Sequence, residues 1–245
     1  MARALPTLIR VELLLFLRNP AAAFFTLVFP LIILFVFGSV FGNSAGPGRP
    51  SGMMDLSVPG YLGMIIGSTG LMGIPGWIAG YREQGVFRRL RLTPVGPARL
   101  LVAQGVVGLL SALTGGILLF VAGKLVFHLQ TPQSVFGVIT GFLLGCGAMF
   151  SLGAMVASVT RTARAAQAIG MALYFPMLFL SGAAFPRVLM PPGVRRVSEA
   201  LPLTHVIELV QRLWIQGVWR PASALVLLGL LVVAAIVALR SFRWE

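Results

Sequence analysis

Six stretches of the sequence stay apolar long enough to cross a bilayer as helices. A hydrocarbon core about 30 Å thick requires roughly 20 apolar helical residues, and a chain in lipid must satisfy its backbone hydrogen bonds internally. We therefore predict an all-α integral membrane protein with six transmembrane helices in a single domain over residues 1–245. The predicted spans are residues 21–41, 56–80, 100–123, 135–159, 165–185 and 222–239.

The composition and charge of the chain agree with this organisation. Hydrophobic residues make up 58% of the sequence and charged residues only 10%, which identifies lipid as the main solvent. A net charge of +13 would suggest nucleic acid as the partner of a soluble domain. Here the arginines lie between and beside the apolar runs, where lipid phosphates and the cytoplasm explain them. We therefore expect contact with membrane lipid and none with nucleic acid.

The basic residues also predict an orientation. Six spans place both termini on one side, and cytoplasmic loops carry an excess of arginine and lysine. Twelve basic residues fall in the segments that would then lie inside, against two in the first two outside loops, so we predict that both termini are cytoplasmic. The inside set is Arg3, Arg10, Arg18, Arg82, Arg88, Arg89, Arg91, Arg99, Arg161, Arg164, Arg240 and Arg243, and the outside pair is Arg49 and Lys124.

Two further segments are amphipathic but do not qualify as spans. In residues 1–20 the arginines and Thr7 share one helical face, which predicts a cytoplasmic interfacial helix. Residues 186–217 carry four arginines against the orientation rule and an amphipathic stretch over 203–217 that is too polar to cross lipid. We interpret this segment as re-entrant or interfacial helices on the outer face. The alternative is a misassigned span, which would invert the C-terminal half.

Small residues four apart predict close helix packing in three places. Gly63 and Gly67, then Gly76 and Gly80, lie in the second predicted span. A third ladder in the fourth span consists of Gly137, Gly141 and Gly145. Such ladders let helix backbones approach each other in lipid. We favour packing within the subunit over a subunit interface.

The sequence offers little chemistry of its own. None of its six acidic residues lies in the middle of a predicted span, so an ion-coupled carrier and an intramembrane enzyme are both disfavoured. His205 and Glu208 have ligand-like spacing without a third partner, and Cys146 is the single cysteine, so we expect no metal site. The pair Gly123-Lys124 is followed by leucine and lacks the phosphate-binding pattern, so any ATP must act in another subunit. We expect no catalytic residue and no cofactor bound by this chain.

Residues 81–99 form a dense charged segment between the second and third predicted spans. Its core resembles the membrane subunits of bacterial ABC transporters, in the type-two exporter family that includes drug, antibiotic and polysaccharide exporters. The matching pattern is Arg82-Glu83-x-Gly85-x-Phe87-x-Arg89-Leu90-x-x-Thr93-Pro94. Phe29-Pro30 in the first span and the stretch 201–205 before the last span extend the resemblance over nearly the whole chain. The family commonly has threonine and leucine after the glycine, where this chain has Val86 and Phe87.

The resemblance implies a role for this segment as a coupling helix that docks on a separate ABC ATPase, which holds ATP and Mg. It also implies two permease subunits, of the same or different sequence, in a bacterial plasma (inner) membrane. The second inside loop would supply a second coupling contact. The expected coupling residues are Arg82, Glu83, Gly85, Phe87, Arg88, Arg89, Leu90, Thr93, Pro94, Arg161 and Arg164. The alternative is an ordinary loop whose arginines only fix the orientation.

The resemblance also places the transport path between the second and fifth spans of two subunits. The candidate path residues are Met64, Ser68, Met72, Phe175, Met177 and Phe179. A cavity lined by methionine and aromatic side chains suits a small hydrophobic or amphipathic cargo, such as a drug, an antibiotic or a lipid-like molecule. The alternatives are a polysaccharide or glycolipid exporter subunit, an ATP-independent carrier or channel, and a scaffold protein.

Overall fold

The computed structural model describes residues 4–44, 52–92, 97–184, 187 and 190–241, and the described elements are all helices. Six of them are long and apolar enough to cross a membrane, which confirms the predicted fold class. We number these helices as spans 1 to 6: Pro20–Phe41, Met53–Glu83, Arg99–Phe127, Val135–Val159, Ala163–Leu180 and Pro221–Ser241. The remaining helices include an N-terminal helix Ala4–Leu17 and a charged helix Val86–Arg91. Two more belong to the segment predicted to lie outside, and we name them after that prediction the short outer helix, Pro192–Ser198, and the outer amphipathic helix, Pro202–Ile215.

Span 5 ends earlier than its apolar composition suggested. The helix stops at Leu180, where the sequence predicted a span to residue 185. Gly182 adopts a φ of 90°, and the amide of Ala184 donates to the carbonyl of Leu178 at 3.1 Å. This is a glycine C-cap, which satisfies the last carbonyls of the helix. Hydropathy does not detect it because the capping residues are small and apolar.

Spans 1 and 2 both contain a π-helical segment. The segments are Phe24–Val28 in span 1 and Ser68–Gly73 in span 2. Pro30 and Pro75 each lie in the first turn of the α-helix that follows. Because proline has no amide hydrogen to donate, the preceding turn loses an ordinary α-helical bond and widens.

Span 2 is the central element of the bundle. Over an apolar stretch of 18 residues in each span, 83% of span 2 is buried, whereas 22% of span 6 is buried. Spans 4 and 5 approach its π segment backbone to backbone. A Cβ atom added at Gly153 would lie 2.0 Å from the carbonyl oxygen of Gly70, and one at Gly170 would lie 1.9 Å from that of Leu71. Only glycine permits this contact.

The outer amphipathic helix lies in the groove between spans 2 and 4 and runs antiparallel to span 2. A Cβ atom at Gly67 would meet Leu203, one at Gly63 would meet Ile207, and the Gln211 side chain donates to the carbonyl of Leu56 at 3.2 Å. The apolar face of this helix is therefore buried within the protein, where an interfacial helix would turn it to lipid. How deep the helix lies in the bilayer stays a prediction.

The glycine ladders divide into packed and unpacked sites. Gly63 and Gly67 accommodate Ile207, Leu203 and Tyr174, while Gly137, Gly141 and Gly145 accommodate the outer amphipathic helix. These five positions pack within the subunit, as expected. Gly76 is different, because no heavy atom lies within 4 Å of a Cβ added there.

Hydrogen bonds join the segments that connect the spans at each of the two ends of the molecule. At one end, Tyr81 at the close of span 2 contacts Glu12 of the N-terminal helix, and Arg82 contacts Thr160 between spans 4 and 5. At the other end, the Asp55 carboxylate accepts from the Asn43 side chain and from the amide of Gln130. Three of the segments predicted to lie inside, namely the N-terminal helix, the charged segment and the loop between spans 4 and 5, thus share one end. Their orientation in the cell stays a prediction.

Candidate coupling site

The charged helix is separated from span 2 by a tight turn at Gly85. Span 2 ends at Glu83, and Gly85 follows with φ 69° and ψ 17°, in the left-handed region. Its amide donates to the carbonyl of Arg82 at 3.0 Å. No heavy atom lies within 4 Å of a Cβ added at Gly85, so glycine is required here for its backbone conformation alone.

Phe87 anchors the charged helix to the bundle. Its ring is 1% exposed and packs in a cluster with Ile74 and Ile78 of span 2 and with Ala157 of span 4. Tyr81 meets it edge to face, with ring centroids 6.4 Å apart. Phe87 therefore holds the helix in place from inside the chain, whereas the resemblance had implied a contact with the ATPase. Leu90 lies half-buried at the edge of this cluster.

Arg82 binds the end of span 4. Its guanidinium donates to the carbonyl of Ala157 at 3.0 Å and to the carbonyl of Thr160. Both carbonyls lie at the C-terminus of a helix, where the last carbonyls have no further helical amides to pair with and the helix dipole favours a cation. Arg82 thus joins the ends of spans 2 and 4.

Glu83 binds the start of span 5. Its carboxylate accepts from the amide of Ala163 at 3.0 Å, and the Thr162 hydroxyl accepts from Ala165 at 3.1 Å. A helix N-terminus has unpaired amides and favours an anion. Arg82 and Glu83 are consecutive residues that hold the facing ends of spans 4 and 5, and we name this pair the clasp.

The clasp adjoins an exposed basic surface. Arg88 and Arg89 on the charged helix, Arg161 before span 5 and Arg164 in the first turn of span 5 are all exposed. Leu92 is 89% exposed and adds to this surface an apolar side chain that the sequence pattern did not single out. It directly follows the charged helix, in which Phe87 is buried and Leu90 is half-buried. The predicted coupling residues Thr93 and Pro94 lie outside the described residues.

A second missed feature is the network around Glu12 of the N-terminal helix. Its carboxylate accepts from the Tyr81 hydroxyl at 2.8 and 2.9 Å and from the Gln104 side chain of span 3 at 2.6 Å. The side chain is nearly buried, and burial raises the pKa of Glu12 above its ordinary value. Helical periodicity did not select Glu12, because it lies within the apolar run Val11–Phe16.

The candidate path residues fall into three environments. Met64 and Met177 are buried in the core. Ser68 and Met72 line a cavity of about 240 Å³ between spans 1, 2 and 5. Phe175 and Phe179 are exposed on span 5. A single chain therefore does not gather all six residues around one path.

The end of the molecule that is predicted to face outside carries an ion-pair cluster. The Glu208 carboxylate accepts from both Arg187 and Arg220, and its side chain is 12% exposed. His205 contacts the carbonyl of Glu199 at 3.0 Å and the hydroxyl of Ser223 at 3.4 Å. Burial lowers the pKa of His205. The polar atoms of His205 and Glu208 therefore bond to these partners. These bonds explain why the two residues are spaced like metal ligands.

Comparison with known proteins identifies the family. Residues 3–213 match the model of the ABC-2 type transporter family. The chain is 25% identical over 154 residues to the inner membrane transport permease YhhJ of Escherichia coli (strain K12), and equally to the protein of that name from Shigella flexneri. The match covers 60% of this chain and 41% of each relative. The family match extends over both the charged segment and the clasp, and we conclude that the chain belongs to the ABC-2 type transporter family.

Proposed function

We propose that this chain is the membrane permease subunit of an ATP-driven ABC exporter in the plasma membrane. A separate ABC ATPase supplies ATP, Mg and hydrolysis, and a second permease subunit completes the path. The cargo is a hydrophobic or amphipathic molecule such as a drug, an antibiotic or a lipid-like compound. Family membership and the transport permeases among the relatives support this proposal.

The arrangement around the clasp is the observation that carries the proposal. A loop that only fixed orientation would need arginines but no defined structure. Instead, Gly85 turns the chain, Phe87 anchors the charged helix, and the clasp ties it to the loop between spans 4 and 5. The result is a supported surface with exposed guanidinium groups and the exposed Leu92. Charged groups around an apolar residue suit a protein partner.

Coupling then follows from differential binding. An ATPase pair that closes on ATP binds the two arrangements of the permease pair with different affinity and so shifts their populations. Span 2 transmits this shift, because it is both the central element of the bundle and the element that continues into the charged helix. The exposed Phe175 and Phe179 of span 5 support a path between two subunits.

The test uses the chain purified in lipid with the ABC ATPase that copurifies with it. Arg89→Ala and Leu92→Ala remove a cation and an apolar group from the exposed surface. Arg196→Ala and Val197→Ala are matched controls, since both side chains are exposed on the short outer helix. We expect each of Arg89→Ala and Leu92→Ala to weaken assembly by at least about fivefold. This corresponds to a loss of about 1 kcal/mol of binding free energy, which marks a residue that contributes to an interface.

Binding affinity and ATP hydrolysis are both measured, and the controls should leave them at the wild-type level. If all four variants bind and hydrolyse as the wild type does, the charged segment is an orientation signal and the proposal fails. Flux of a reconstituted chain without any ATPase would indicate the channel or carrier alternative.

A further inference from the structure

A cavity beside Glu12 combines a carboxylate with aromatic side chains. It measures about 300 Å³ and lies between the N-terminal helix, span 2 and span 3. Its wall contains the Glu12 carboxylate, the amide side chain of Gln104 and the rings of Phe16, Trp77 and Tyr81. This volume is at the lower end of the range found for small-molecule sites.

Glu12 has no cationic partner within the described part of the chain. The ion pairs found there involve Glu199 and Glu208 only. The three hydrogen bonds to Glu12 come from neutral donors, Tyr81 and Gln104. A nearly buried carboxylate with neutral partners is costly, and a cation close to it offsets the lost hydration.

The aromatic side chains favour an organic cation over a metal ion. Trp77 lies in the wall of this cavity, and Phe16 meets its ring edge to face at 6.1 Å. Aromatic faces attract ammonium and related cations, and they also bury the apolar part of such a molecule. A divalent metal would need several oxygen ligands, whereas one carboxylate lines this cavity.

A second cavity gives the site an extension toward the membrane path. The cavity of about 240 Å³ lined by Ser68 and Met72 shares Asn19, Gly76 and Trp77 with the first. Gly76 is the ladder glycine that no neighbouring helix fills, and the space beside it is open. A molecule held by Glu12 would therefore be adjacent to span 1, span 2 and span 5.

We propose that these two cavities form an inner vestibule that accepts a hydrophobic organic cation, with Glu12 binding the positive charge and Trp77 the apolar part. This proposal rests on the proposed function, since it names the cargo class as lipophilic cations. It concerns binding alone, so it can be tested without the ATPase.

The binding test uses the purified chain in nanodiscs of zwitterionic lipid. The probe is radiolabelled tetraphenylphosphonium in equilibrium dialysis, with empty nanodiscs subtracted. Tetraphenylborate, which has the same shape and the opposite charge, is the matched control probe. We expect saturable binding of the phosphonium and none of the borate.

Two variants change the vestibule in different ways. Glu12→Gln removes the charge at constant size and should weaken phosphonium binding by about tenfold or more, as expected for a lost buried charge pair. Gly76→Leu fills the space between the cavities and should also weaken it, which keeps the proposal testable if Glu12→Gln does not fold. Glu199→Gln, whose carboxylate is 66% exposed at the outer end, should bind as the wild type does.

Equal binding of the borate, or undiminished phosphonium binding by Glu12→Gln or by Gly76→Leu, would overturn the proposal. Failure of this test leaves the ATPase assembly result untouched, because the two measurements use different surfaces. An intact vestibule in a chain that binds no ATPase would instead separate cation binding from ATP-driven export.

Discussion

At the scale of single residues, Glu12 illustrates how one side chain can depend on three helices. It belongs to the N-terminal helix, yet its partners Tyr81 and Gln104 belong to spans 2 and 3. The three elements bury it together, and periodicity within one helix contains no information about that. The family pattern also omits it, so only the folded chain identifies it.

The raised pKa of Glu12 predicts a pH dependence of stability. Burial raises its pKa in the folded state above the ordinary value of 4.5, so between the two values the folded chain binds more protons than the unfolded chain. Stability is then greatest below the unfolded pKa and falls as pH rises through this window, until the folded pKa is passed. Thermal unfolding of the purified chain from about pH 4 to about pH 8 measures the slope.

Glu12→Gln should flatten that slope, because glutamine does not titrate. Glu199→Gln removes an exposed carboxylate and should leave the slope as it is in the wild type. Parallel profiles for the wild type and Glu12→Gln would show that the pH dependence has another origin.

Replacement by alanine should change the stability of the chain in opposite directions at Gly85 and at Gly76. Gly85 has a positive φ and Gly76 lies inside a helix, and neither has a neighbour within 4 Å of an added Cβ. Gly85→Ala should destabilise the chain by about 1 kcal/mol, because the left-handed conformation is costly for alanine. Gly76→Ala should stabilise it by up to about 1 kcal/mol through helix propensity.

Denaturation in mixed detergent micelles gives both free energies of unfolding. Gly85→Asn is the control for conformation, since asparagine tolerates the left-handed region better than alanine does. A loss of stability at Gly76 as large as that at Gly85 would contradict this account.

At the scale of elements, the contact of span 5 with span 2 depends on an absent side chain. Gly170 faces the carbonyl of Leu71 in the π segment. Gly170→Ala should force the two spans apart and destabilise the chain by about 1–3 kcal/mol, as overpacking does. Gly229→Ala in span 6 is the control, because nothing lies within 4 Å of its added Cβ.

The same micelle denaturation compares these two variants. Equal stability of Gly170→Ala and Gly229→Ala would mean that the spans do not pack as closely as described.

The elements also show where sequence reasoning succeeds and where it stops. The six spans were predictable because a helix that crosses lipid requires a long apolar run, and such runs are visible directly in the sequence. The end of span 5 at Leu180 was missed because the glycine cap at Gly182 lies in a stretch that is equally apolar. The charged segment was found from its pattern, but the partners of Arg82 and Glu83 were not. Those partners lie 75 to 80 residues away along the chain, and no periodicity connects them.

At the scale of the whole molecule, the distribution of arginines predicts which end faces the cytoplasm. Arg88 lies at the end that gathers the N-terminal helix and the loop between spans 4 and 5, while Arg196 lies on the short outer helix. Single cysteines are introduced at these positions after Cys146, which is 2% exposed, is replaced by alanine. A membrane-impermeant maleimide added to intact cells should label Arg196→Cys, and it should label Arg88→Cys only after permeabilisation.

Labelling of both positions in intact cells would contradict the predicted arrangement. Labelling of Arg88→Cys alone would invert it. Either result would also move the vestibule beside Glu12 to the outer side of the membrane.

The clasp reduces the freedom of the end of the molecule that carries the charged helix. Its two side chains are attached to the same stretch of backbone, and they grip helices that point in opposite directions. The two inside loops are therefore linked mechanically, so a force applied to one is shared by the other unless hydrogen bonds break. A displacement of this end would therefore move spans 2, 4 and 5 together.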